Sequence, residues 1–436
     1  MKNIFDIFPR QKFQQLNTQP TKLVSCSFLY FFCLLCSYFI LRPLRDEMGI
    51  VNGAMNMQWL FTGTFVAMLC IVPIFALLMA KTSIKRVLIL SYSFFVSNIF
   101  IFYILFETVG ITKPVAIAFF IWLSVFNLFV VSLFWSFMAD VFTGPTSKRF
   151  FGIIAGGGSL GALTGPLIAN YLSKHSLIST LLLVAALFLF LALCCIFIIL
   201  ALSRSDYSSK ITTAKTLSII KLFAGIRNIA KSRYLISIVI FILLYTTIST
   251  VLYFEQAHIV EDTLGQQGQR ISYFSNIDFT VNTIAIIGQL LLTGSIIQRF
   301  GLAKVLASIP FLMGLGLLFL GTSSSLWVIA ALMVIHRSGN FILLRPSREI
   351  LYTVTSLEEK YKAKNFIDTA IYRGGDALVG WLFAGLVAIG WGLGAIAFLA
   401  IPLAFIWSFV GHSLGKQQFK KEKNLTLNNK IHENNI

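Results

Sequence analysis

The sequence predicts an all-α polytopic membrane protein, with twelve transmembrane helices in two six-helix bundles. Three observations predict it. The chain carries twelve long apolar runs; its 436 residues are 57% hydrophobic and only 12% charged; and its lysines and arginines fall almost wholly in alternate gaps between the runs. A soluble domain carries about twice that charged fraction.

A helix that crosses the hydrocarbon needs roughly 20 apolar residues. Runs of about that length lie at 23–41, 58–80, 87–106, 115–138, 151–172, 177–202, 235–256, 273–297, 305–321, 326–344, 366–389 and 391–414. They divide six and six around the longest polar stretch. The expected organisation is a tail (1–22), a first bundle (23–202), a basic linker (203–234), a second bundle (235–414) and a second tail (415–436).

The formal charge is +18, carried by 35 Lys and Arg against 17 Asp and Glu. Of those 35 cations, 28 lie in the two tails and the gaps on their side of the bilayer. Arg42, Arg45, Lys113, Lys174 and Arg270 lie in the other gaps, and Arg337 and Arg373 lie inside spans. Such asymmetry places both termini in the cytoplasm. It predicts a bacterial inner-membrane protein whose surroundings are lipid, and it explains the basic charge without a nucleic-acid partner. In the linker, Leu217, Ile220, Phe223 and Ala224 alternate with Lys221, Arg227 and Lys231 over 215–233. That stretch reads either as an amphipathic helix on the inner leaflet or as a solvated connector.

The six cysteines all fall within spans, so no disulfide framework is expected, and Cys33 and Cys36 read as packing residues. No Walker A sequence, zinc spacing or catalytic triad pattern occurs, so neither a cofactor nor a metal is expected.

The spans then differ in what they carry. The first ends in Arg42-Pro-Leu-Arg45-Asp46-Glu47, and the seventh ends at Glu255 with His258 beyond. Arg42 and Glu255 fall at corresponding depths of the two halves, which suits either a shared interior or an ion pair at the outer surface. The fifth carries Gly157, Gly161 and Gly165 at every fourth position, followed by Pro166. Small residues at that spacing let two helix backbones approach closely. The eighth aligns Ser275, Asp278, Asn282 and Gln289 on one stripe, which must line a cavity or face another polar helix. The tenth holds His336, Arg337 and Asn340, and the eleventh holds Asp368, Arg373 and Asp376. An ionisable group at mid-membrane costs about 2.5–3.5 kcal/mol on insertion scales, so each of these needs a partner, water or a purpose.

The six-plus-six layout with a long basic centre resembles the major facilitator fold, whose halves rock about a midplane site. Gly294-x-x-x-Gln298-Arg299-x-Gly301-x-x-Lys304 is similar to that superfamily's loop signature. The glycine run ending in Gly165-Pro166 resembles the glycine-proline motif of its antiporters. A narrower resemblance is to the ATP/ADP translocases of plastids and intracellular bacteria. It is carried by Tyr38-Phe-Ile-Leu-Arg42-Pro-Leu-Arg45-Asp46, by Pro346-Ser-Arg348-Glu349-Ile-Leu-Tyr352, by Leu357-Glu358-Glu359-Lys360-x-Lys362-x-Lys364 with Ile367-Asp368, and by Glu255. It implies nucleotide exchange, with Arg45 where the family has a functional lysine. Asp376 departs from it, standing where an ungapped reading has a phosphate-attracting lysine. A carboxylate there repels a polyphosphate, which favours a less charged anion or proton coupling.

The expected function is therefore a secondary active transporter of alternating-access type, working on a nucleotide-like or other organic anion. Arg42, Arg45, Arg337 and Arg373, with Asn282 and Asn340, are expected to hold the substrate. Glu255, Asp278, Asp368 and Asp376 are expected to couple or gate, using a proton or a counter-substrate. The alternative is a proton-coupled exporter of an amphipathic small molecule, which the glycine run favours. A lipid-modifying enzyme needs histidines and acids clustered at one interface, but His175, His258, His336, His412 and His432 are scattered. A sensor would need an output domain larger than either tail.

Overall fold

Apolar segments surrounded by lipid satisfy their backbone polar groups internally, which only a helix or a closed barrel allows. The spans accordingly fold as helices. The computed structural model describes residues 20–142, 147–203, 229, 232–355, 363–364 and 366–434. The first half comprises α1 (Pro20–Val51), α2 (Met57–Lys81), α3 (Ile84–Thr108), α4 (Lys113–Val141), α5 (Ser147–His175) and α6 (Ser179–Leu202). The second comprises α7 (Arg233–Thr263), α8 (Gln267–Leu291), α9 (Leu302–Thr322), α10 (Leu326–Gly339), α11 (Tyr372–Ala388) and α12 (Leu393–Asn434). Of the amphipathic stretch 215–233, only Ile229, Ser232 and Arg233 are among the described residues.

Ten helices among the described residues are long and apolar enough to cross a membrane, or eleven when α8 and the short helix Thr293–Phe300 are taken as one bent span. The twelfth rod is α11 with the π-helical turn Ile367–Ile371 before it. Their 17 and 5 residues reach roughly 33 Å at about 1.5 Å per residue.

Several helices differ from the expected spans. α1 runs on past 41 through Pro43 to Val51, because the charged residues that follow the proline find partners inside the protein. α7 likewise continues beyond Glu255 to Thr263. The eighth span is not one rod over 273–297: it starts at Gln267 and turns by 60° after Leu291 into Thr293–Phe300. Gly301 then reverses the chain with a φ of 77°, a left-handed conformation in which a Cβ is strained. α10 continues through a π-helical turn, Asn340–Leu344, into a helix over Arg345–Leu351. α12 extends some twenty residues beyond the expected limit of 414.

Each half has its own apolar core. One is built on α1, α3, α4 and α6, and the other on α7, α9, α10 and α12. Within the first half, Gly157, Gly161 and Gly165 of α5 lie directly against α1. A Cβ on Gly157 would overlap the Phe28 carbonyl, one on Gly161 the Phe32 carbonyl, and one on Gly165 the Cys36 carbonyl and Phe39. Pro166 sits inside α5 one residue later.

The halves meet along α5–α8 and α2–α11. Asn282 donates to the Ala162 carbonyl at 2.9 Å, Ser272 donates to Asn170 Oδ1 at 2.9 Å, and Asn170 also bonds Asn276. Trp381 donates to Thr62 at 3.0 Å and stands edge-on to Trp59. The Ala54 amide donates to Glu261 at 3.0 Å. Glu47 takes both Arg270 Nε and Nη2, at 2.7 and 2.8 Å. These contacts all sit at mid-depth or nearer the end opposite the start of α1. The other end, where α1 begins and α12 finishes, holds Arg233, Arg299, Lys304, Arg345 and Arg348 and is called the basic end below.

Candidate substrate cavity

A cavity of about 530 Å³ lies between the halves, with walls from α1, α2, α4, α7, α10 and α11. Helix geometry explains which side chains reach it. Arg45 and Asp46 follow Arg42 by three and four residues, one turn further along the same side of α1. On α10 and its continuation, Arg337, Phe341, Arg345 and Arg348 recur at steps of four, four and three, and all line the cavity. On α11 and the turn before it, Asp368, Tyr372, Arg373 and Asp376 do the same. The cavity therefore runs from mid-depth, at Arg42 and Arg337, to the basic end at Arg345, Arg348 and Asp368.

Among the described residues, six arginines and three aspartates line it and no lysine does. Most of the charges are partly paired. Arg45 contacts its neighbour Asp46 at 2.6 Å, and Asp46 also accepts the Tyr253 hydroxyl from α7 at 2.9 Å, which joins the two halves. Arg373 and Asp376 approach to 3.6 Å along α11, and Thr250 donates to Asp376 at 3.2 Å. Arg348 reaches Asp368 at 3.5 Å. At mid-depth, Asp278 Oδ1 takes Arg337 Nη2 at 2.5 Å and Arg42 Nη1 at 3.2 Å. The lining thus holds a surplus of positive charge. A unit anion about 4 Å from a guanidinium gains about 4 kcal/mol at an effective dielectric near 20. Most of the remaining wall is hydroxyl and ring, Tyr245, Tyr253, Tyr372, Phe61 and Phe120 among them.

The expected site residues separate into three groups. Arg42, Arg45, Arg337, Arg373, Asn340, Asp368 and Asp376 line the cavity. Asp278 and Asn282 do not: Asp278 stands behind the two arginines, fully buried, and Asn282 is spent on the α5 backbone. The polar stripe of α8 thus serves contacts between helices. Ser275 bonds its own helix at Ile271, and Gln289 bonds the Phe341 carbonyl. Glu255 is the third case. It is fully buried, lies off the cavity, and neither of its oxygens has a hydrogen-bond partner. The pairing of Arg42 with Glu255 at an outer surface is replaced by Arg42 with Asp278, because α7 does not end at Glu255 and carries it into the packed interior.

Sequence reasoning passed over Arg345 and the tyrosines, and took Arg348 and Asp46 only as parts of a motif. The step of four, four and three from Arg337 was the available signal. It also passed over the pairing of Glu47 with Arg270. Among the described residues no group of three or more His, Cys, Asp or Glu is placed to hold a metal ion.

Residues 23–341 match the Major Facilitator Superfamily. The chain is 22% identical over 219 residues to ADP,ATP carrier protein 2 of Chlamydia pneumoniae; the match covers 44% of this chain and 41% of that protein, so the chain spans about two-fifths of that relative. Among solved structures, a POT family transporter in complex with a thioalcohol-conjugated peptide superposes with a TM-score of 0.64 at 12% identity, covering 91% of this chain and 96% of that one. The nucleoside transporter NupG superposes with a TM-score of 0.60 at 14% identity, covering 92% and 98%.

Proposed function

The chain belongs to the Major Facilitator Superfamily, and from that premise we propose that it is a secondary active transporter that carries a small organic anion by alternating access. The observation that supports this reading is the arginine surplus of a cavity placed between two six-helix halves. Arg42, Arg45, Arg337 and Arg373 hold the anion, with Asn340 beside them. Asp368 and Asp376 gate or couple. Asn282 and Asp278 act from outside the cavity, and Glu255 couples only if the opposite conformation uncovers it. The positive-inside rule sets the basic end in the cytoplasm of a bacterial inner membrane, so the described conformation faces inward, with Glu47–Arg270 closing the outer end.

The distant match to an ADP,ATP carrier keeps nucleotides among the candidates. Asp376 in the cavity wall favours an anion with less charge than a polyphosphate. The rings of Phe61, Phe120 and Phe341 favour a second reading, proton-coupled export of an amphipathic compound.

Counterflow in proteoliposomes tests these readings, with radiolabelled ATP, ADP, inorganic phosphate and succinate as probes. Arg337→Ala and Arg373→Ala are each expected to lower uptake about tenfold to a hundredfold, the loss of one charge-assisted contact. Uptake unchanged in both variants would remove the site assignment. Resistance to amphipathic compounds on expression, without anion counterflow, would favour the export reading.

A further inference from the structure

The anion site contains an anion of its own. Arg42 comes from α1 in the first half, while Asp278 and Arg337 come from α8 and α10 in the second. Both guanidinium groups line the cavity, whereas Asp278 is fully buried behind them. A substrate therefore meets the two arginines and never the aspartate.

The way Asp278 is held differs from the way Glu47 is held. Glu47 gives two oxygens to two nitrogens of a single arginine, the bidentate fork that makes such pairs strong and specific. Asp278 gives one oxygen, Oδ1, to both arginines, and its Oδ2 has no hydrogen-bond partner. Each arginine has five N–H donors in a fixed plane, and Asp278 engages one nitrogen of each. Two cations thus share one carboxylate through single contacts, and much of each fork is left for a second acceptor. Moving two uncompensated guanidinium groups through a dehydrated, closed state is unfavourable. One carboxylate between them offsets one of the two charges and so lowers that obstacle.

We propose that Asp278 is a resident counter-anion. It halves the net charge of the Arg42 and Arg337 pair, from +2 to +1, while the cavity is empty, and shares the two arginines with the anionic group of the substrate when the cavity fills. The unloaded carrier can then return across the membrane, so the protein carries out net transport as well as one-for-one exchange. This rests on the anion reading above and adds to it what sets the transport mode.

The test separates two fluxes in proteoliposomes containing the full chain. Vesicles are loaded with labelled ADP, inorganic phosphate or succinate. Efflux is followed into medium lacking the compound (net flux) and into medium containing it unlabelled (exchange). Wild type is expected to show both. Asp278→Asn is expected to lose net flux about tenfold or more while exchange stays within about threefold. Asp278→Glu, which keeps the charge, is expected to keep both. Asp278→Ser and Asp278→Ala repeat the test if the amide variant is not recovered folded.

Equal loss of both fluxes in every neutral variant overturns the proposal, because Asp278 then supports the fold or the transport step itself. Net flux retained in a neutral variant also overturns it, as does a wild-type protein that only exchanges. A wild-type protein silent toward all three probes removes the anion reading and this inference with it, and that outcome is distinct from a selective effect at Asp278.

Discussion

Replacing Glu47 with glutamine should open the end of the protein that is now closed. Glu47 is fully buried and the Arg270 side chain is 12% exposed, and the two groups join α1 to α8 through contacts at 2.7 and 2.8 Å. With charge centres about 4 Å apart and an effective dielectric near 20, their attraction is about 4 kcal/mol. Truncating one partner of a buried pair costs about 3–5 kcal/mol, because the other is left without compensation. Arg270 keeps one bond, to the Leu264 carbonyl at 3.0 Å. It also rehydrates once the halves part, so about 3 kcal/mol of the bias toward the closed outer end is lost. That changes the ratio of the two conformations about 150-fold, enough to bring a ratio of about 99 to 1 close to parity. Spin labels on exposed Ser176 and Gly265, in the α5–α6 and α7–α8 connections, would report it on a background with the native cysteines replaced. The wild-type distance distribution should be short and single. Glu47→Gln should add a longer component, and the exchanged pair Glu47→Arg with Arg270→Glu should restore the short one. A distribution unchanged by Glu47→Gln would refute the reasoning, and the contact would then belong to a static part of the interface.

Two further outcomes follow from packing. Gly157→Ala should destabilise the protein by about 1–3 kcal/mol, since its Cβ meets the Phe28 carbonyl, whereas Gly156→Ala, whose Cβ meets only the Phe28 ring edge at 3.7 Å, should be near neutral; thermal unfolding in detergent compares the two. Glu255→Gln should leave transport within about threefold of wild type, because the amide replaces a buried carboxyl that has no hydrogen-bond partner, while Glu255→Lys should abolish folded yield by burying an unpaired cation; expression and counterflow read both.

Fold class was legible because lipid leaves the chain little choice. Length, apolarity and the placement of lysine and arginine define the rods. The helix ends were less legible where charge continued a helix, as from Arg42 to Val51, since most of the partners that permit it, Tyr253, Arg270 and Asp278, lie more than two hundred residues away on α7 and α8. The break after Leu291 was hidden for the opposite reason, because the apolar run passes straight through it. At the cavity, Arg337 and Arg373 stood out as charges within apolar runs, and periodicity alone placed Asp278 with Asn282. Periodicity states that two side chains share a face. It does not state whether that face meets water or a neighbouring helix, and for α8 it meets α5 and the rear of two arginines. Glu255 shows the same limit, because depth along a helix carries no information about direction around it.

That arginine, and not lysine, supplies the cations of the cavity wall among the described residues has a consequence for proton traffic. A guanidinium keeps its charge at any pH a cell sustains, whereas a buried lysine ammonium can surrender its proton. The positive charge that these arginines give the chamber is therefore permanent. Among the described lining residues, any response of the cavity to acidity has to arise at its acids, its tyrosines or His336, and alkaline conditions act on its attraction for an anion through those groups and not through its arginines.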